Sequence, residues 1–449
     1  MKIDRRSFLR STAAVGAGLV LPQVGFGAAA AKKEDGINVA LLGAGEQGNV
    51  LMNAARQIPG VRFKAVCDIW EAYNLKRMSR MLKRYGHEHN DYKDYKEMLD
   101  KEKDIDAVII ATPDFWHCEH AMACLKRGLH VYCEKEMSNT LEGAKKMVQA
   151  AKETGKLLQI GHQRRSNPRY IHCYEKLIKD AKILGRITTI NGQWNRGKAA
   201  CEDLGWPKDG AVEEPTLQNY GFKSMQQFRN WRWYKGLGGG PIVDLGSHQI
   251  DIYSWFLGAS PVSVIASGGI DYWKGHEWYD HVMVIYEYQT KEGIVRAFYQ
   301  TITTNSGNGY FELFMGDEGS LLISEASARG DVYREAWLPE DHWDKWVKMG
   351  YLKAPPEEKK VEKPTAAAGE GVADVRESPK PPRFDLPVTM ENKPYHQPHL
   401  ENFFDAIRGK AKLNCPAEVG YETAVTVLKV NEAIEAGKKL EFKPEDFKV

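Results

Sequence analysis

Two hydrophobic periodicities alternate along residues 36 to 165. Short apolar runs at Val39–Leu42, Phe63–Cys67, Ala107–Ala111, His130–Cys133 and Leu157–Ile160 read as buried strands, and Glu119–Arg127 and Leu141–Thr154 space their apolar residues as helices do. Such alternation builds a parallel, doubly wound sheet whose ligands sit beyond the carboxyl ends of the strands. The loops after Ala111, Cys133 and Ile160 are therefore site candidates. After a helix expected over Asn167–Lys182 the texture changes. Long β-branched and aromatic runs at Ile187–Trp194, Val262–Gly268, His281–Tyr288, Ile294–Thr303 and Tyr310–Met315 follow one another with mostly turn residues between them. They predict a largely antiparallel sheet, one face against helices and the other open to substrate or a partner subunit. Residues 354–382, rich in Pro, Lys, Glu and Ala, read as an irregular surface excursion. His399–Ile407 and Tyr421–Ala436 read as closing amphipathic helices. The fold class expected is α/β over 36–165 followed by an α+β domain over 166–449.

The first strand, Ile37–Leu42, opens into Gly43-Ala44-Gly45-Glu46-Gln47-Gly48. Gly43 permits the tight turn, Gly45 lets backbone approach a pyrophosphate, and Gly48 lets the following helix pack closely on the strand. The N–H groups at the helix start then face the anion. A second apolar run ends in Asp68, about 20 residues beyond the last glycine, where a carboxylate accepts both ribose hydroxyls and repels a 2′-phosphate. No arginine follows it directly. The motif predicts NAD rather than NADP; the alternative for Asp68 is a helix cap.

At 449 residues the chain exceeds the roughly 250–300 at which single cores stop growing, so two domains are expected. With 62 basic and 60 acidic residues the net charge is +2, which gives no bulk pull toward nucleic acid or anionic lipid. Residues 1–30 carry Arg5-Arg6-Ser7-Phe8-Leu9-Arg10, an apolar stretch from Ala13 to Val20 and small residues at Ala28–Ala30. That order is similar to a twin-arginine export signal, and its apolar run is too short to span a bilayer. Export of folded protein to the periplasm predicts a tightly held, recycled cofactor. Seven cysteines without a C-x-x-C pair predict neither a metal site nor a disulfide framework.

The loop after the fourth parallel strand reads Thr112-Pro113-Asp114-Phe115-Trp116-His117, and the loop after the fifth reads Glu134-Lys135-Glu136. Within Gly238–Asp251, Asp244 and His248 stand four apart, one face of a helix, where the carboxylate can orient or charge-stabilise the imidazole. Trp231 and Tyr234, in Asn230-Trp231-Arg232-Trp233-Tyr234, are candidates to stack on a sugar ring or to pack as core.

These motifs together resemble the glucose–fructose oxidoreductase, inositol dehydrogenase and related sugar-dehydrogenase family. The resemblance implies a Rossmann domain followed by an open-faced sheet domain, nicotinamide redox chemistry on sugars or cyclic polyols, and a homo-oligomer, dimer or tetramer. By position Lys135, Asp244 and His248 match the family's active-site lysine, acid and histidine. The cofactor set it implies is Gly43, Gly45, Glu46, Gln47, Gly48, Asp68, Thr112, Pro113, Trp116, His117, Glu134, Lys135 and Gln163; the substrate set is Lys135, Trp231, Tyr234, Asp244 and His248. One departure is Glu136, where the family has proline, which can alter the loop or pair with Lys135. In this reading His248 is the base and Lys135 holds the hydroxyl oxygen, while Asp244 fixes the imidazole or contacts a sugar hydroxyl. Arg164 and Arg165 read as solvated charge. Taken singly, a capping Asp244, an interior His248 and a surface Lys135 are the alternatives. The expected activity is oxidation of a secondary hydroxyl, at ring carbon 3, of a sugar or glycoside. Two other readings are an NAD-dependent glycosidase working by transient oxidation and β-elimination, and a non-catalytic sugar or nucleotide sensor.

Overall fold

Six short strands form the first sheet: β1 (Ile37–Leu42), β2 (Val61–Cys67), β3 (Asn90–Tyr92), β4 (Ala107–Ile110), β5 (His130–Cys133) and β6 (Leu158–Ile160). All neighbours are parallel, in the order β3-β2-β1-β4-β5-β6. Every residue of β1 and β4 is buried, as strands covered by helices on both faces must be. The order reverses at β1, which places a ligand crevice above the carboxyl ends of β1 and β4. The computed structural model describes residues 36–326, 329–354, 380–390 and 393–449. The export segment at 1–30 and nearly all of the excursion expected at 354–382 lie outside the described residues.

The second sheet holds β7 (Ile187–Asn195), β8 (Pro261–Gly269), β9 (His281–Thr290), β10 (Gly293–Ile302), β11 (Tyr310–Gly316), β12 (Gly319–Ile323), β13 (Gly330–Arg334), β14 (Arg383–Asp385) and β15 (Leu440–Glu441). Its order is β14-β13-β12-β11-β7-β10-β9-β8-β15, antiparallel except for β7 with β10. On β9, Val282, Val284, Tyr286 and Tyr288 turn inward beneath the Gly240–Leu257 and Ala417–Ala436 helices, while Met283 and Ile285 on the opposite face are exposed. Period-2 alternation therefore decides which face meets helix and which stays open.

The helix expected over Asn167–Lys182 is α-helical only over Pro168–His172 and continues as wider π turns through Cys173–Asp180. Residues 198–238 cross the carboxyl ends of the parallel sheet as short helices and turns around a small core that Val212, Leu217, Phe222, Met225 and Trp231 share with Trp70. Hydrogen bonds with the parallel-sheet domain and its loops tie this strap down, three of them near the cleft. Trp70 Nε1 donates to the Gly210 carbonyl, Trp116 Nε1 to the Tyr220 carbonyl at 3.1 Å, and Tyr220 Oη to the Lys93 carbonyl at 3.3 Å.

Candidate active site

Gly43 takes φ +93°, and a Cβ there would sit 2.6 Å from the Ala111 backbone, so β1 can turn this close to β4 only with glycine. A Cβ on Gly48 would lie 2.0 Å from the Gly43 carbonyl oxygen, which is the close packing of helix on turn. At Gly45 a Cβ would meet nothing nearer than Asn74 Nδ2 at 3.8 Å, so that side of the turn faces open space. The Glu46–Ala55 helix starts there with no side-chain cap. Its N-terminal N–H groups open on a cleft of about 1150 Å³ lined by Gly43, Gly45, Asp68, Thr112, Pro113 and Trp116. Asp68 Oδ2 accepts from Ala44 N at 2.7 Å and Oδ1 from Trp70 N at 2.7 Å, so the carboxylate also clamps the glycine turn. Burial raises its pKa against those N–H donors. A cradle that a Cβ would fill, an uncapped helix start and an acid at the end of β2 fit a dinucleotide.

A second cleft, about 1480 Å³, adjoins the first, and Gln47, Glu134, Lys135 and Arg232 line both. Lys135 and His248 open into it together with Asp244. Lys135, on the turn after β5, donates from Nζ to the Asp244 carbonyl oxygen and, at 3.1 Å, to Asp244 Oδ1. Arg232 Nε lies 3.1 Å from the same carboxylate oxygen. Burial works to raise the Asp244 pKa, but Lys135, Arg232 and Arg196 overcome it and hold the carboxyl far below its ordinary range. His248 is held well below its ordinary pKa, first by burial and then by the positive fields of Lys135 and Arg164. Its Nδ1 is buried with no partner among the described residues, and its ring lies 5.3 Å from that of Trp194.

Several expectations need correction. The i,i+4 spacing does put Asp244 and His248 on one face, but two cations draw the Asp244 carboxylate away from the imidazole, so it orients Lys135 and not His248. His117 is buried outside both clefts, with Nδ1 2.7 Å from the Glu136 carbonyl oxygen and Nε2 2.7 Å from that of Thr112. It straps the β4 and β5 loops together. Gln163 lines the second cleft, its Nε2 donating to Glu325 Oε1 at 3.1 Å. Trp231 lines the first cleft, and Tyr234 lines neither, packing instead on the strap's core. Glu46 and Gln47 both line the first cleft; Glu46 also pairs with Arg77 at 2.8 Å, and Gln47 Nε2 donates to Glu134 Oε1 at 3.1 Å. Glu136 is buried and makes no ion pair with Lys135; its Oε1 accepts from Met137 N at 2.8 Å across a turn whose Lys135–Glu136 peptide bond is cis. Arg164 is buried against Glu312 and Glu325, and Arg165 pairs with Asp251 at 2.7 Å, so neither is solvated charge.

Residues 37–162 match the sequence model described as oxidoreductase family, NAD-binding Rossmann fold, and residues 176–322 match the GFO/IDH/MocA C-terminal domain. The chain belongs to the Gfo/Idh/MocA oxidoreductase family. Residues 2–22 match the twin-arginine translocation signal sequence, so the export expected for residues 1–30 has independent support. Among similar proteins, scyllo-inositol 2-dehydrogenase (NADP(+)) of Bacillus subtilis is 27% identical over 70% of this chain and 76% of its own. The 1,5-anhydro-D-fructose reductase of Ensifer adhaerens is 30% identical over 50% of this chain, and the alignment spans 59% of that protein's length. A solved structure of levoglucosan dehydrogenase, complexed with NADH and L-sorbose, superposes with TM-score 0.67 at 17% identity, covering 91% of this chain and 99% of that one. The Gfo/Idh/MocA oxidoreductase fold of this chain thus comprises the parallel sheet with its glycine turn and the open sheet that faces it.

Sequence reasoning missed Arg232, Arg196, Trp194, Tyr310 and His396, all of which line the second cleft. Arg232 lay inside a segment read for its aromatics. Trp194 and Arg196 mark the end of a correctly expected strand, where a basic residue beside an aromatic was the available signal. His396 comes from a distant segment and carries no local one.

Proposed function

We propose that this chain is an exported oxidoreductase that retains NAD and oxidises a secondary hydroxyl, at ring carbon 3, of a sugar or glycoside. The observation that carries the reading is the meeting of Lys135, Asp244 and His248 in one cleft that adjoins the glycine turn. Carbohydrate chemistry is supported by the named activities of the relatives, and ring carbon 3 rests on family resemblance and export.

Oxidising an alcohol removes a hydride and a proton, and NAD, when bound, is the hydride acceptor. Gly43, Gly45, Gly48 and the start of the Glu46–Ala55 helix would hold its pyrophosphate, with Asp68 at the ribose. His248, kept neutral by burial and by nearby positive charge, takes the hydroxyl proton. Lys135 holds the hydroxyl oxygen and stabilises negative charge on it as the C–H bond breaks. Asp244 keeps the Lys135 ammonium aimed across the cleft. The strap over residues 198–238 covers the cofactor cleft with Leu204, Tyr220, Phe222, Phe228 and Trp231, which supports a cofactor that stays bound in a periplasm without a free nucleotide pool. The processed protein, incubated with a broad panel of glycosides, is expected to yield keto sugars, and His248→Ala none. No keto product from any member sinks the assignment.

A second reading, transient oxidation followed by β-elimination of the aglycone, is favoured by one observation. Tyr310, Tyr395 and His396 line the same cleft and offer a further base. Release of the leaving group without net keto sugar is its signature.

A further inference from the structure

Four basic side chains other than histidine line the second cleft: Lys135, Arg196, Arg229 and Arg232. Three are engaged by the protein itself. Lys135 and Arg232 share Asp244, and Arg229 donates from Nε to the Gly205 carbonyl at 3.0 Å while its guanidinium lies 5.0 Å from the Trp70 ring. Arg164, just beneath the cleft floor, is neutralised by Glu312 and Glu325. Arg196 differs from all of these. Its guanidinium makes no hydrogen bond or ion pair with any described residue, acts on Asp244 only through space, and lies over Trp194, 5.4 Å from the ring centroid.

Its placement is fixed from both ends. The backbone N–H of Arg196 donates to the Ile302 carbonyl at 2.8 Å, continuing the β7–β10 ladder, so the residue stands on a rigid strand end. Trp194, on which the guanidinium lies, is stacked on Tyr310 at 4.6 Å and approaches His248 at 5.3 Å. Trp194 thus borders both the fork and the imidazole assigned as base, and all three line one cleft. A planar fork of unused N–H donors in the cleft that holds the reacting groups recognises a planar anion in two-point fashion.

We propose that the carbohydrate oxidised here carries a carboxylate, as a uronic or aldonic acid does, and that Arg196 binds it. This rests on the proposed function and adds the substrate class. Two kinds of measurement test it on the processed protein. The first compares NAD reduction with methyl glucuronide against methyl glucoside, and with gluconate against glucitol, in the parent, Arg196→Gln and Arg196→Lys. The second titrates glucuronate and glucose against tryptophan fluorescence, which reports binding whether or not turnover follows.

The parent is expected to prefer the acid in both pairs. Arg196→Gln should lower the ratio of acid to neutral kcat/KM about 100-fold, a ratio that any shared effect through Asp244 does not move. Arg196→Lys should recover part of the acid's KM. If Arg196→Gln melts well below the parent, competition decides: gluconate must inhibit neutral turnover in the parent more strongly than glucitol does. Neutral sugars turned over as well as their acids, or sugar sulfates preferred to both, overturn the carboxylate and leave the oxidoreductase reading standing. Turnover of neither set, with glucuronate bound no more tightly than glucose, overturns the carboxylate, and tight glucuronate binding abolished in Arg196→Gln upholds the anion site.

Discussion

Lys135→Met separates a catalytic ammonium from an ionic staple. The substitution keeps the aliphatic stem but removes the charge that Asp244 and its carbonyl hold in the cleft. Loss of a single preorganised donor to a developing oxyanion costs about 10²–10³ in kcat, and a full cation sits toward the upper end, so a drop of about 10³, roughly 4 kcal/mol, is expected. Stability should respond less. Breaking a buried ion pair costs about 3–5 kcal/mol when the surviving charge is stranded, but here Asp244 keeps Arg232 Nε at 3.1 Å, which brings the cost to about 1–2 kcal/mol. Turnover on a sugar that the parent oxidises, the NAD content of the purified protein and a thermal melt give the three numbers together. A kcat within tenfold of the parent at unchanged NAD content refutes the role of Lys135 and reduces the pair to scaffolding.

His248→Gln should lower kcat by about 10²–10⁴ with NAD content unchanged; a loss below tenfold contradicts its role as base. Because burial and neighbouring cations depress the His248 pKa, the imidazole is neutral at pH 6.5 and gains its proton only further down, so the acid limb of the rate profile lies well below pH 6.5. A His248-dependent limb centred at 6.5 or above opposes this. Gly45→Ala and Gly48→Ala should part company: the first meets nothing closer than 3.8 Å and folds normally while losing NAD, and the second strikes the Gly43 carbonyl and lowers the melting temperature as well. Equal melting losses in the two contradict the cradle. Glu136, pushed up to about 8 by burial, binds a proton in the folded state that the unfolded chain releases near its ordinary value. Its stabilising contribution is complete below about pH 4.5 and is lost as pH rises through about 8, on the order of 1 kcal/mol per pH unit between. Glu136→Gln should flatten that part of the melting-temperature profile between pH 5 and 9, and parallel profiles refute the buried acid.

The sheets were readable because both write their period into the chain. In β1 and β4 burial on two faces forces continuous apolar runs, and along β9 alternation separates Val282 and Val284 from Met283 and Ile285. Edge strands carry no such requirement. β3 reads Asn-Asp-Tyr, and β14 and β15 are three and two residues long, so no periodicity announced them. In the site, glycine was legible because steric need leaves one residue type, as at Gly43 and Gly48. Charge partners were not. Spacing placed Asp244 beside His248 but is silent about Arg232, twelve residues upstream and folded back onto the same carboxylate. His117 stood in the right loop, and only the fold shows both its nitrogens committed to backbone carbonyls.

Absorbance at 340 nm after mixing the processed protein with sugars, with no nucleotide added, tests the central claim most directly. A resident NAD beside Lys135 and His248 should give up to one equivalent of reduced nucleotide per chain with at least one sugar, and His248→Gln should form it about 10²–10⁴ times more slowly. A protein that contains no nucleotide, or reduces one only when free NADP is supplied, contradicts it.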